Sequence, residues 1–334
     1  MPLRSEQDFL RLIDEHFPDG PAAKLDGVEL GRGDDCALVR TGGLVCVSSD
    51  LFLDTVHFRR SYFTPGEIGH KALACNLSDI AAMGCVPRFF SLDLLVGGDT
   101  DERFWSELLA GMAALAARHR VRLIGGDLSR SPLLGASVHI WGEPAPPGRV
   151  LRRGGAQPGD VLAVAGPVGM ARAGLLALER SGNAARQAYP ACTAAHLMPE
   201  PQVAAGLALA ALAGVRGAMD VSDGLARDLP RLLGLDAHPE GGLGAELTIQ
   251  SAEDGGPLHD EACRFATERG LDPAREAFLG GEDYCLLAAL APDAWDAAAE
   301  SIPGLARIGT VASSPGIILN GKPFLEPGFD HFGD

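Results

Sequence analysis

Five short segments set an aspartate among glycines or small residues: GRGDD (31–35), SSD (48–50), NLSD (76–79), IGGD (124–127) and DVSDG (220–224). Carboxylates and hydroxyls so placed are oxygen donors, which is what Mg²⁺ takes, usually keeping water and nucleotide phosphates in its shell. Carboxylates alone repel one another. Ions bridging them to a triphosphate turn the same charges into an anchor. A single aspartate in a glycine turn serves equally well to close an Asx turn or cap a helix. Spacing therefore leaves open both a metal–phosphate site and a set of turn-forming aspartates. The sequence contains neither a GxxxxGK[ST] loop nor the HRD and DFG motifs of protein kinases. Phosphate binding through a lysine loop is excluded.

The elements that must carry these segments follow from hydrophobic period. Residues 5–17 read as an amphipathic helix, followed by a turn-rich stretch that ends in GRGDD. LVCVSSD (44–50) is a β-branched run whose Asp50 is expected where the strand opens into a loop. Ile68, Ala72, Leu73, Leu77, Ile80 and Ala81 recur at helical spacing between Pro65 and Gly84, placing Asn76 and Asp79 on one face. Strand 89–96, a helix near 101–119, VRLIGGD with Asp127 at a strand end, and strand 136–143 complete the first half. The segment EPAPPGRVLRRGGAQPGD is the expected linker, dividing the chain into 1–148 and 149–334. In the second half come VLAVAGPVG (161–169), helices near 170–181 and 201–213, and an acidic turn into a helix at 219–234. FLGGEDYCLLAAL (278–290) follows, with a last helix and strand to about 312. Ser222 or Asp223 is expected to cap the helix of 219–234, with Asp228 inside it. No steady βαβ rhythm runs through either half, so the fold class is α+β in two domains.

Composition narrows the chemistry. The 334 residues carry a formal charge of −16, with 28 Lys and Arg, which argues against nucleic acid as a partner. An anionic nucleotide would instead need divalent ions as intermediaries. Seven cysteines form no CxxC pair, as suits a reducing compartment. The start, MPLRSEQDFLRLIDEHF, lacks the apolar stretch of a signal peptide, and the longest apolar run, Val203 to Val215, is too short to span a bilayer. A cytoplasmic protein with no membrane partner is expected.

Taken in order, GRGDDCALV, VSSDLFLDTVHF, GHKALACNLSDIAAMGCVPRFFSLDLLV, IGGDLSRSP, RRGGAQPGDVLAVAGPVG, AMDVSDGLARDL and LGGEDYCLL resemble the motif series of bacterial thiamine-monophosphate kinases. The resemblance runs from about residue 31 to GFDHF. NLSDIAAMG and VSDGL are shared with the wider superfamily of aminoimidazole ribonucleotide synthetase, while GRGDD, DTVHF and GGEDY narrow it. It implies an ATP-dependent kinase that converts thiamine monophosphate to thiamine diphosphate with several Mg²⁺ ions. It also implies a homodimer whose N-terminal sheets pair into a barrel, with ATP near the seam. By matching positions, Asp34, Asp50, Asp79, Asp127, Asp220 and Asp223 would hold magnesium, with Ser48 and Ser49 as weaker donors. Gly126, Asp127, Arg153 and Ser222 would contact ATP, and His57, Glu282 and Phe329 the acceptor. A carboxylate and an aromatic face suit a cationic thiamine ring.

Some positions depart from the family pattern. Leu109 stands where an aromatic residue is usual, at a place implied to contact ATP. Gln202 replaces an arginine, DTVHF replaces EGVHF through Asp54 and Thr55, and SSD replaces TTD with its hydroxyls kept. Two alternatives differ in class: a superfamily enzyme acting on another metabolite, and an inactive Mg-nucleotide sensor. Turnover with thiamine monophosphate separates them.

Overall fold

The computed structural model describes residues 5–18, 27–32, 36–97, 99–235 and 242–329. Asp34 and the rest of its acidic pair, and much of the turn-rich stretch before it, lie outside the described residues. The chain divides into two compact units, one of residues 1–80 and 86–144, the other of 81–85 and 145–334.

The first unit begins with α1 (Glu6–His16), β1 (Val28–Leu30), β2 (Leu38–Val39) and β3 (Cys46–Leu53). It continues with α2 (Pro65–Ala82), β4 (Cys85–Val96), α3 (Glu102–His119), β5 (Arg122–Gly125), β6 (Leu128–Arg130) and β7 (Gly135–Pro144). Its main sheet has the order β3-β7-β4-β5, with β6 also pairing β4 and with β3 at an edge. The helical stripe read between Pro65 and Gly84 is the buried one: Ile68, Ala72, Leu73, Leu77, Ile80 and Ala81 are all inside. Two glycines let α2 and α3 touch backbone to backbone. A Cβ on Gly69 would stand 1.9 Å from the Leu108 carbonyl oxygen, and one on Gly111 would stand 2.0 Å from that of Gly66.

Asp50 does not end its strand. β3 runs on to Leu53 and pairs antiparallel with β7, Asp50 opposite Val138, because LFL prolongs the alternation that keeps every second side chain inward. Leu109 also differs from expectation: it has no exposed surface and packs within the first unit, so a residue implied to contact ATP is a core residue of α3.

The second unit opens with β8 (Val161–Ala165), α4 (Met170–Ser181), α5 (Ala185–Ala188), α6 (Pro190–Leu197) and α7 (Val203–Ala211). β9 (Val215–Asp220), α8 (Leu225–Leu232), β10 (Gly244–Leu247), α9 (Asp260–Thr267), α10 (Pro273–Leu279) and β11 (Leu286–Leu290) come next. The last elements are α11 (Trp295–Ser301), β12 (Leu305–Ala312), β13 (Gly316–Leu319) and β14 (Lys322–Phe324). Seven strands form one sheet in the order β14-β13-β10-β12-β8-β11-β9.

Both faces of this sheet are covered. Leu162, Val164, Leu287 and Ala289 join one core with Leu225, Leu229 and Leu232 of α8. The alternate residues Ala163, Ala165, Leu286, Ala288 and Leu290 join a second core with Val203, Leu209 and Ala298. Burial on both sides is why β8 and β11 read as unbroken apolar runs. The molecule is thus mixed α+β, as its patterns predict. Among the described residues no helix is long and apolar enough to cross a membrane.

Candidate functional site

In the first unit the alternation of β3 decides which oxygens meet. Ser48 and Asp50 point to the side where α2 presents Asp79, while Ser49 is exposed on the opposite face. The Ser48 hydroxyl donates to Asp79 Oδ2 in a short hydrogen bond. The carboxyls of Asp50 and Asp79 also share a hydrogen bond, and burial, with the Asp79 charge next in weight, pushes the Asp50 carboxyl up from its ordinary range. Two carboxyls this close disfavour each other's charge when no cation lies near them. The chemistry of this donor set fits a hard divalent ion, which would relieve that repulsion and use the serine oxygen and water to fill its shell.

Asp127 stands elsewhere on the same sheet. Its N–H donates to the Leu92 carbonyl at 3.2 Å and its carbonyl accepts from Leu94 at 2.9 Å, while its side chain accepts from the Ser129 hydroxyl at 2.9 Å. His139, paired with Ser49 across β3 and β7, reaches Asp93 of β4 at 3.1 Å, so Asp127 sits at nearly the same height as Asp50. Three strand spacings, about 14 Å, separate them. Gly126 lies flat on β4 with φ +150°, where a Cβ would stand 1.9 Å from the Leu92 oxygen. Only glycine fits. His57 follows β3 in a tight turn, accepts from the Leu53 N–H at 3.1 Å and stacks on Phe52.

In the second unit, irregular extensions of β9 and β11 bring the VSDG and GGEDY turns together. Val221 N–H donates to Cys285 at 2.9 Å, Tyr284 N–H to Val221 at 3.0 Å, and Glu282 N–H to Ser222 at 2.8 Å. Asp220 is buried at the end of β9. Neither Ser222 nor Asp223 caps α8; the cap residue is Gly224, at φ +93° against the carbonyls of Leu279 and Gly280. The Ser222 carbonyl is taken by Glu282, and the Asp223 side chain is turned elsewhere. Asp223 accepts from Arg231 at 2.7 Å, and the Asp223 N–H donates to Asp228 Oδ2 at 2.9 Å. Arg231 also reaches Asp228, at 2.9 Å. Burial pushes the Asp228 carboxyl up to about 6, opposed by the Asp223 N–H and by Arg231.

Glu282 has φ +64°, and its side chain meets buried His196 at 3.2 Å. Asp283, half-buried, accepts from the N–H groups of Gly169 at 2.6 Å and Ala171 at 2.9 Å at the start of α4. Burial lifts its carboxyl to about 7 in spite of those donors. The chain's last described segment crosses the same region: Gly328 lies against Arg227 in the first turn of α8, and Glu326 pairs with Arg275 at 2.8 Å. Phe329, half exposed, is the residue after Gly328 at this contact with the first turn of α8.

Arg153 is not gathered there. Its loop runs beside the first residues of β9 and the end of α8, where Gly154 N–H donates to Leu232. The length of α8, about 12 Å, separates it from Ser222. Gln202 donates to the Glu200 carbonyl at 2.8 Å and sits over Gly166 at the turn after β8. The structure thus joins Ser48, Asp50 and Asp79 in one cluster of the first unit, and Ser222, Asp223, Glu282 and Phe329 along one rim of the second. Among the described residues no three His, Cys, Asp or Glu side chains form a complete cage for a metal ion. Asp228, Arg231, Asp283 and His196 are participants that motif reading did not single out. The signals for the first and third were the second acid of VSDGLARD and of GGED.

Comparison with known proteins gives these turns a context. Residues 33–142 match the AIR synthase related protein N-terminal domain, and 157–322 the AIR synthase related protein C-terminal domain. A thiamine-monophosphate kinase of Rhodopirellula baltica is 32% identical over 298 residues, 86% of this chain and 83% of that one. The crystal structure of thiamine-monophosphate kinase from Stenotrophomonas maltophilia is 32% identical, with a TM-score of 0.79 over 96% of this chain and 98% of that one. A structure of AaThiL complexed with AMPPCP and TMP is 25% identical, with a TM-score of 0.75 over 99% of this chain and all of that one.

Proposed function

Because this chain belongs to the thiamine-monophosphate kinase family, we propose that it transfers the γ-phosphoryl group of ATP to thiamine monophosphate. The products are thiamine diphosphate and ADP. The bond between Pγ and the β–γ bridging oxygen breaks, its electron pair leaving with ADP, as a terminal phosphate oxygen of the acceptor bonds to Pγ. That oxygen is already ionised, so no side chain has to act as a base. Rate enhancement comes from positioning and charge neutralisation.

The observation that carries this reading is the Ser48–Asp50–Asp79 cluster, an oxygen donor set in which two carboxyls approach closely enough to share a hydrogen bond. Magnesium, when bound, would neutralise phosphate charge and polarise the transferring group. Asp34, Asp127, Asp220 and Asp223, with Ser49, are the further donors assigned to it. Gly126, Arg153 and Ser222 are assigned to ATP. Arg231 and Asp228, both of α8, hold Asp223 against the start of that helix. Glu282, Phe329 and His57 are assigned to thiamine monophosphate, the first two suiting its cationic ring.

A homodimer through the first unit is part of the same proposal. β3 is an edge strand, and Val47 and Leu51 are exposed on the face turned away from Asp79, the kind of surface that sheet pairing covers. We place the enzyme in the cytoplasm, the reducing compartment that suits seven cysteines with no CxxC pair.

The test is direct: incubation with ATP and thiamine monophosphate, with and without Mg²⁺, followed by separation of the thiamine esters. Mg²⁺-dependent thiamine diphosphate is the expected product. Nucleotide binding with no diphosphate and no ADP would instead mark a sensor.

A further inference from the structure

We infer that His196 is a positioning residue for the acceptor carboxylate, holding one oxygen of Glu282 so that the other is presented to the acceptor's cationic ring. The inference rests on the assignment of Glu282 to thiamine monophosphate given above.

The backbone around Glu282 is fixed before its side chain is considered. A non-glycine residue at φ +64° is held there only if its surroundings over-determine it. Here they do, on three sides: Glu282 N–H is bound to Ser222, Tyr284 N–H to Val221, and the Asp283 carboxylate to the first N–H groups of α4. Gly281 adds a fourth restraint, since a Cβ there would stand 2.6 Å from the Ser222 oxygen. What these contacts leave unset is the glutamate's own torsions. Its carboxylate lies 3.2 Å from Nδ1 of His196, with the glutamate side chain 29% exposed and the histidine 2%. One carboxylate oxygen is therefore held by the protein, in a side chain that stays partly exposed. A histidine carrying hydrogen on Nδ1 donates to that inner oxygen whether neutral or charged.

The placement of His196 is also built in. α6 is seated on α4 through Gly174, where a Cβ would stand 2.1 Å from the Cys192 carbonyl oxygen and 3.1 Å from the His196 Cβ. The N-terminus of α4 is the one that Asp283 holds. A closed circuit results: α4 to Asp283, along the chain to Glu282, across to His196, and through α6 back to α4. A polar ring is a costly group to enclose without such a purpose. Displacing α6 would turn the Glu282 carboxylate without moving the VSDG turn, so the contact governs acceptor binding and leaves the nucleotide side alone.

The experiment compares His196→Asn, His196→Gln and His196→Leu, with steady-state constants for each substrate and a thermal melt for each variant. Asparagine places an amide N–H where Nδ1 stands, glutamine places it near Nε2, and leucine removes it. Leucine and glutamine should raise KM for thiamine monophosphate about tenfold with KM for ATP within about twofold, and asparagine should recover most of the loss. In a Glu282→Gln background the leucine change should add little, because its target is gone. Equal behaviour of the asparagine and glutamine variants, parallel rises in both KM values, or full additivity with Glu282→Gln would overturn the role. If the leucine variant does not fold, the asparagine–glutamine pair decides alone. A wild-type enzyme that makes no thiamine diphosphate would sink the function itself, whereas an active wild type with indifferent His196 variants sinks only this inference.

Discussion

Asp79 touches two groups at once, the Ser48 hydroxyl and the Asp50 carboxyl, so its removal should be felt in chemistry more than in folding. Asp79→Asn keeps the volume and a hydrogen-bonding oxygen but loses the charge that holds a divalent ion. Turnover should fall by roughly 100-fold or more at saturating Mg²⁺, with the melting temperature unchanged or raised, since the variant also relieves the crowding of two carboxyls. Near-normal turnover would remove Asp79 from the site. At this scale the sequence was most informative where an aspartate stands in a motif, and least where a residue acts through partners far along the chain. Asp283 binds the amides of Gly169 and Ala171 more than a hundred positions away, and His196 meets Glu282 from a separate helix. The second acid of GGED is the one local mark of Asp283, and nothing local distinguishes His196 from an ordinary buried histidine. Ser48 and Ser49 show the converse: adjacent and alike in the motif, they face opposite sides of β3 once its register is known.

Between elements, glycine sets the distances. α2, which carries Asp79, rests on α3 at Gly69, and a methyl group there would overlap the Leu108 carbonyl at 1.9 Å. Backbone cannot yield as a side chain does. Gly69→Ala should therefore cost at least ~1–3 kcal/mol of stability by urea unfolding, while Gly42→Ala, with nothing within 4 Å of the added methyl, should change it by less than about 0.5 kcal/mol. Equal midpoints for the two would show that the helices can separate freely. The stripe of α2 and the runs of β8 and β11 lie where hydrophobic period puts them, whereas α5, α6, β10, α9, α10, β13 and β14 fall in stretches where period gave no element. Two junctions also differed. Asp50 was expected to close a strand that in fact continues, because pairing with β7 outweighs the acidic residue, and α8 is capped by Gly224, with Asp223 bound instead to Arg231 and Asp228 of that helix.

Across the whole molecule the desolvated acids set the response to pH. An unfolded aspartate titrates near ~3.9, whereas burial holds Asp228 at about 6 and Asp283 at about 7. Over that window the folded chain keeps protons that the unfolded chain has released, so stability falls as pH rises. The exposed carboxylates Asp99 and Glu326, drawn down by Arg60 and Arg275, act in the opposite sense but only at lower pH. The melting temperature without Mg²⁺ should therefore be higher at about pH 5.5 than at about pH 8, and Asp283→Asn should flatten the difference. A melting temperature that climbs across the same range would contradict this account. The charge of −16 pushes the same way, through self-repulsion that grows as the remaining acids ionise.

The two-sided burial of β8 and β11 has a consequence for how this sequence can change over time. A strand with one wet face can accept change at every second position. In β8 and β11 each residue answers to one of two separate interiors, so neither parity is spared. The platform beneath the VSDG and GGEDY turns should therefore tolerate few changes of side-chain volume at either parity.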